Sequence, residues 1–250
     1  MIVITHFYNE EYLLPYWLEH HKRIFDHGIL IDYHSTDRSV EIIKEICPTW
    51  EIRTSVNQDF NAKNCDLEVM NIEKQLNEYR IALNVTEFII GDIGRLLELD
   101  HGQYLLPAYP MIDSLTDEFT ELEFPKESLV AQRMNGINFA RDPAFFSLRK
   151  ARSFHKIQVA YATGRHFNKF NTEDAVILWY GYSPFNEYII NRKLQIQTQI
   201  PEQDKINLLG REHCVNREQL LLTFRELQQH AEPLNDILMP KFEKSWNFKN

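Results

Sequence analysis

The chain has 250 residues and a mass of 29.8 kDa, 44% of it hydrophobic, which is enough to bury one substantial core. Lys and Arg number 27 against 36 Asp and Glu, so the net charge of -9 offers no broad electrostatic footprint for a phosphate backbone and excludes nucleic acid as an expected partner. Cys47, Cys65 and Cys214 stand alone without CxxC spacing, which fits neither a disulfide framework nor a cysteine-rich zinc site and points to a reducing, cytoplasmic setting.

In chain order, Ile2-Val3-Ile4 is a β-branched run of the kind a strand covered on both faces requires. Asn9 can cap a helix running to about Phe25, with Leu13, Trp17 and Ile24 on one side and Glu10 and Glu11 near its positive end. Gly28 releases a second strand, Ile29 to Ile31, ending at Asp32. Ser35-Thr36-Asp37 then offers the next cap before Val40, Ile43 and Cys47, and Pro48 stops that helix. Trp50 to Ser55 reads as a third strand, Asp66 to Glu78 as a third helix with Leu67, Met70 and Leu76 inward, and Arg80 to Glu87 as a fourth strand.

Strand and helix alternate through about residue 90, so the expected class is α/β: a mostly parallel central sheet flanked by helices. Ligands of such sheets sit beyond the carboxyl ends of the strands. The segments His6 to Glu10, Asp32 to Asp37 and Asn84 to Glu87 should therefore converge. From 103 to 165 the short apolar runs Tyr104 to Leu106, Phe145 to Leu148 and Ile157 to Ala162 suggest mixed, partly antiparallel sheet. Asn216 to His230 is an amphipathic helix with Leu220, Phe224 and Leu227 on one face. No repeat or flexible linker divides the chain. It is taken as one domain with a nucleotide-binding half (1–100), an acceptor and catalytic half (101–215) and a helical tail (216–250).

The longest uncharged apolar stretch of interest, Ala175 to Asn186, is 12 residues long and broken by Gly181 and Pro184, against the roughly 20 residues a bilayer span needs. The start, Met1 to His6, lacks the basic and long apolar regions of a signal peptide. There is no GxGxxG after the first strand and no GxxxxGK[ST], which disfavours Rossmann dehydrogenases and P-loop kinases.

Tyr8-Asn9-Glu10-Glu11 at the first strand end and Asp32-x-x-Ser35-Thr36-Asp37 at the second resemble the family 2 glycosyltransferases and their family 92 relatives. The stretch Tyr12 to His21, with Pro15, Trp17, Leu18, Glu19 and His20, is similar to their first helix. The resemblance implies a GT-A fold whose first strand ends hold the nucleotide of an activated sugar of UDP or GDP type. The backbone near Thr5 and Phe7 and the side chains of Asn9 and Glu10 would then line the nucleoside pocket with His34 nearby, Asp32 would accept a hydrogen bond from the base, and Phe7 or Tyr8 would stack on it.

The family's Asp-x-Asp metal motif is replaced here by Asn84-Val85-Thr86, followed by Glu87-Phe88. Hard cations want carboxylates, so three outcomes stay open. Glu87, with Asn84 and His166, holds a weak Mg²⁺ or Mn²⁺; or Arg and Lys neutralise the diphosphate without a metal; or transferase activity is lost. Gly164-Arg165-His166 resembles a Gly-x-His segment of family 92 relatives, which places His166 ahead of His155, His213 and the His20-His21 pair.

Thr172-Glu173-Asp174 is similar to the Thr-Glu-Asp motif of processive family 2 enzymes. It makes Asp174 the candidate base for an inverting transfer, with Glu187 and Asp142 behind it. Asn191-Arg192-Lys193, then Pro201, Asp204 and Lys205, reads as a basic lid in which Arg192 and Lys193 stabilise the leaving diphosphate. Trp179, Tyr180, Tyr182 and Phe185 are either core or a stacking surface for an acceptor sugar. The expected function is transfer of a sugar from a nucleotide-diphosphate donor to a carbohydrate or glycoconjugate acceptor. A sugar-nucleotide or glycan-binding module without turnover is the alternative, and a nucleotidyltransferase is disfavoured by the shortage of paired carboxylates.

Overall fold

A computed structural model describes residues 1–58, 61–138, 151–161, 166, 170–206 and 214–249. The first element is β1 (Ile2–Phe7), followed by α1 (Leu14–His21), β2 (His27–Asp32), α2 (Ser39–Ile46), β3 (Glu51–Thr54), α3 (Ala62–Glu73) and β4 (Arg80–Ala82). β3, β2, β1 and β4 lie side by side and parallel, with Phe7 level with Asp32 and Asp32 level with Thr54. The α/β class expected from the alternating runs is what the chain adopts.

The doubly covered character of β1 shows in its alternation. Ile2 and Ile4 join Ile29 and Ile31 in a small cluster under Val69 and Ile72 of α3, while Val3 and Phe7 join the main core with Trp17 and Leu18 of α1. Helix boundaries differ from the expected ones for local reasons. Asn9 does not cap α1: it takes a left-handed backbone (φ 49°), and the helix begins at Leu14 with Pro15 in its first turn. α3 starts earlier than Asp66, because the Asn61 side chain accepts the Asn64 N–H at 2.9 Å. That shift of phase leaves Leu67 exposed while Cys65, Val69 and Met70 face the sheet.

The expected fourth strand is two strands. β4 ends at Ala82, the chain turns through Leu83–Thr86, and β5 (Glu87–Gly91) enters a different sheet. Next come α4 (Ile93–Leu99), β6 (Gln103–Leu106), β7 (Ala108–Ile112), α5 (Leu129–Gln132), β8 (Asn135–Gly136) and β9 (Arg152–His155). After them come β10 (Ala175–Tyr182), α6 (Glu187–Gln199), α7 (Glu202–Ile206), α8 (Arg217–Gln228), β11 (Glu232–Pro233) and α9 (Asn235–Trp246).

β9 inserts antiparallel between β4 and β6, completing the order β3-β2-β1-β4-β9-β6. A second, mixed sheet has the order β11-β8-β7-β10-β5. The mixed second half is as expected, but the strand is Arg152–His155 rather than Ile157 to Ala162; Ile157 is exposed. The run Phe145 to Leu148 lies outside the described residues. α8 has the expected apolar face and a reciprocal cap between Asn216 and Gln219. One continuous apolar core joins both sheets.

His20 and His21, buried side by side on α1, are structural. His20 Nε2–H donates to the Ile89 carbonyl at 2.7 Å, and His21, whose Nδ1–H donates to the Trp17 carbonyl at 2.8 Å within α1, accepts the Ile89 N–H at Nε2 at 3.5 Å, so the pair stitches α1 to β5. Burial pushes the His20 pKa down to about 4 and holds that of His21 well below its ordinary value. Both are neutral in the fold and take up protons on unfolding, so stability is full above the unfolded value near 6.5 and is lost as pH falls from there towards 4. The loss expected from His20 alone is roughly 3 kcal/mol. Urea unfolding at pH 7 and pH 4 measures it, and His20→Gln, which keeps a donor for Ile89 but does not titrate here, should flatten the slope.

Candidate functional site

The site is built at the carboxyl ends of β1 and β2. Because these strands end level, the loops that follow them meet and bond to each other. Asn9 N–H donates to Ser35 Oγ at 3.1 Å, Glu10 N–H to Ser39 Oγ at 2.8 Å and Glu11 N–H to Asp37 Oδ2 at 2.9 Å. In return Thr36 N–H donates to Asn9 Oδ1 at 2.8 Å. Asn9 is thus a strut between the loops, and its left-handed backbone is what aims the amide across the gap. Asp32 Oδ1 accepts the Ser35 N–H at 2.9 Å, and Oδ2 has no protein partner among the described residues. His34 is exposed beside it, also with positive φ.

The side chains of Thr5 and Phe7 turn away from the rim, which leaves only their backbone to line it. Thr5 and Phe7 share the inward phase of Val3, so both are buried and Phe7 belongs to the core; it is not a stacking surface for a base. Tyr8, half-buried, remains at the rim, where its carbonyl accepts from Gln195 Nε2 at 3.3 Å.

Glu10 is buried and grips Arg192 of α6 through both oxygens, with Nε to Oε2 at 2.7 Å and Nη2 to Oε1 at 2.5 Å. Burial pushes the Glu10 pKa up while Arg192 opposes that shift. Arg192 and Lys193 therefore sit on a regular helix that begins at Glu187 rather than on a lid. Lys193 Nζ lies 4.1 Å from the centre of the Tyr182 ring and 5.7 Å from that of Trp179. Those two half-buried rings lie near the rim, since Trp179 pairs with Glu87 across β10 and β5. Tyr180 and Phe185 are core: Tyr180 Oη donates to the Arg133 carbonyl and Phe185 stacks on Phe224.

Residues Asn84 to Glu87 form the turn between the two sheets. Glu87 is fully buried, and its carboxylate takes Arg152 through two bonds of 2.8 and 2.7 Å and the Asn84 N–H at 2.8 Å. Val85 and Thr86 are buried as well. The residues at the Asp-x-Asp position do not fit a divalent cation: the one carboxylate is saturated by a guanidinium, the middle side chain is apolar and the third is in the interior. His166 is not brought to Glu87 but bonds Glu73 at 2.6 Å.

His6, at the rim on the α3 side, lies in the fields of Arg152, Glu87 and Arg192. Burial first, then Arg152, pushes its pKa down to about 4, which makes it a neutral imidazole at pH 7. Sequence reasoning placed His6 in a converging segment without giving it a role, and it missed Arg152. An arginine inside an irregular stretch has no motif around it, and only its burial against Glu87 marks it.

The remaining expected site residues lie elsewhere. Asp174 precedes β10 beside Gly91, at the end of the sheet opposite Trp179 and Glu87. Five residues of strand put it roughly 16 Å from the rim. Its carboxylate accepts from Thr172 Oγ1 at 3.1 Å and pairs with Arg95 at 3.5 Å, as a loop acid does. Glu187 is an exposed acid on the first turn of α6, paired with Arg217. Lys205 bonds Glu202 on α7. Asp142, Gly164, Arg165 and His213 lie outside the described residues, as does the Asp204 side chain. Among the described residues no helix is long and apolar enough to cross a membrane.

No family model matches the sequence, and no curated protein matches it. Among solved structures the chain is similar to S. aureus TarS 1-349, at 12% identity and a TM-score of 0.42, over 79% of this chain and 64% of that one. It thus spans less than two thirds of that structure. The same protein in complex with UDP-GlcNAc matches at 16% identity and a TM-score of 0.31, over 50% of this chain and 38% of that one. A 4-diphosphocytidyl-2C-methyl-D-erythritol synthase matches at 12% identity and a TM-score of 0.34, over 62% and 74% of the two chains. What this chain can bind is decided by its own rim residues.

The Glu87–Arg152 pair gives a direct test of the electrostatics. Glu87→Gln takes the paired carboxylate away from Arg152 and is expected to lower the unfolding free energy by about 3–5 kcal/mol. Adding Arg152→Gln should recover part of that loss, so a denaturant double-mutant cycle should show strong coupling.

Proposed function

We propose that the chain is a GT-A-like transferase that takes a nucleotide-diphosphate sugar at the rim of β1 and β2. It passes the sugar to a carbohydrate or glycoconjugate acceptor, with arginines instead of a divalent cation at the diphosphate. The observation that carries this reading is the presence of two Glu-anchored guanidiniums, Arg192 and Arg152, whose fields both reach His6 at the rim. Glu10 occupies Nε and Nη2 of Arg192, and Nη1 makes no bond among the described residues, so a phosphate oxygen has a fixed donor to meet. Asp32 Oδ2 offers an acceptor for a ring N–H of uracil or guanine. The Trp179 and Tyr182 rings supply a face for the acceptor sugar.

Inverting transfer also needs a group that removes the acceptor proton. Glu10 and Glu87 are tied to arginine and Asp174 is remote, an arrangement that favours a second reading: a nucleotide-sugar or glycan-binding module without turnover.

Calorimetry with UDP and GDP, first in EDTA and then with Mn²⁺, tests the shared part of both readings. Binding in EDTA with no gain from Mn²⁺ is expected, and binding that appears only with Mn²⁺ would overturn the arginine assignment. Asp32→Ala should weaken nucleotide binding while leaving the fold intact. Arg192→Gln should weaken it about tenfold or more, the worth of a lost charge-assisted hydrogen bond. A donor-hydrolysis assay then separates transferase from module.

A further inference from the structure

On the α3 face of the parallel sheet, Glu73, His155 and His166 turn their ligand atoms together. One oxygen or nitrogen from each lies within 4.8 Å of the other two. Glu73 is the last residue of α3 and His155 the last of β9, and both are fully buried; the His166 side chain is 9% exposed. Glu73 Oε2 meets His166 Nε2 at 2.6 Å. Glu73 Oε1 faces His155 Nε2 at 3.7 Å, and neither of those two atoms has a hydrogen-bond partner among the described residues.

That gap is too long for a hydrogen bond and is costly for a carboxylate oxygen with no exposure. The nearest large cation does not relieve it. Arg80 directs its guanidinium to the carbonyls of Glu78 and Lys156 and to the Tyr161 hydroxyl. Ser153 Oγ lies 3.2 Å from His155 Nδ1, where it can accept the Nδ1–H and so expose the Nε2 lone pair toward Glu73. Two acceptors then face each other.

We propose that Glu73, His155 and His166 bind a divalent transition-metal ion of the zinc class, which joins the end of α3 to β9 and to the segment carrying His166. Ligands of a tetrahedral ion with bonds of about 2.0–2.2 Å sit roughly 3.4 Å apart, close to the observed gap. Two imidazoles and one carboxylate suit Zn²⁺, whereas Mg²⁺ and Ca²⁺ take all-oxygen sets. Tyr161 walls the site, its ring 4.8 Å from that of His166 and 6.0 Å from that of His155. The fourth position falls to water. The site shares no ligand with the proposed nucleotide rim, so either assignment can fail without the other.

The test is zinc itself. Protein stripped with chelator, equilibrated with Zn²⁺ and desalted should retain the metal stoichiometrically by elemental analysis and melt at a higher temperature than the stripped form. Co²⁺ in its place should give the visible absorption of a four-coordinate site. Glu73→Gln, which preserves shape, and His166→Ala, at the exposed edge, should each weaken Zn²⁺ binding about tenfold or more. Both variants retain all three cysteines, so the difference isolates this cluster from adventitious thiol binding. Wild type that retains no more zinc than the folded variants, or that melts at the same temperature with and without zinc, would overturn the proposal.

Discussion

The contact on which the most depends is the one between Glu87 and Arg152. A carboxylate with no exposure cannot remain charged without a partner, and it takes one from β9, a strand 65 residues further along the chain. The same residue closes the turn between β4 and β5 by accepting the Asn84 N–H, and its carbonyl holds Trp17 Nε1 at 3.0 Å. One side chain and its backbone therefore join α1, the crossover between the two sheets and the inserted antiparallel strand. Desolvating both ions costs several kcal/mol each, and only the bidentate geometry offsets that cost. An apolar pair would be easier to bury but would not tie β9 to the crossover with the same directionality.

The electrostatics of the rim follow. Burial first, and then Arg152, held by Glu87, and Arg192, held by Glu10, keep His6 neutral. Asn84, Val85 and Thr86, where a resembling enzyme would carry an acidic metal motif, hold no carboxylate; Val85 and Thr86 are buried, and Glu87, the next residue, is taken up by a salt bridge. The proposed function accordingly rests on guanidinium recognition of phosphate oxygens, for which the planar fork of arginine is suited.

The parallel half of the fold was legible because it depends on local signals. β-Branched runs of both-faced strands, turn residues between them and helical spacing are all read within a few residues, and the level ends of β1 and β2 place the first two loops together as expected. What was not legible depends on phase and on distant partners. Phe7 looks like a stacking ring until alternation assigns it to the face of Val3. Leu67 turns outward because Asn61, not Asp66, starts its helix. Arg80 to Glu87 reads as one apolar strand although a turn divides it between two sheets, and nothing near Thr172-Glu173-Asp174 says at which end of β10 it lies. The aromatic run divided for the same reason: Trp179 and Tyr182 are half-buried, whereas Tyr180 is core.

A chain with a net charge of -9 could hold a dianion, as the proposed function requires, only by gathering its cations locally, because its average field repels such a ligand. Mobile surface lysines would do this poorly, since each must be ordered when the ligand arrives. An arginine already fixed by a buried glutamate has given up that freedom during folding, and it still presents the edge of its guanidinium that the glutamate does not cover. The glutamate also weakens the cation's net charge, so recognition depends on direction more than on charge. Under the proposed function, such a site would tell a diphosphate of the right geometry from other small anions by the direction in which its fixed guanidiniums point.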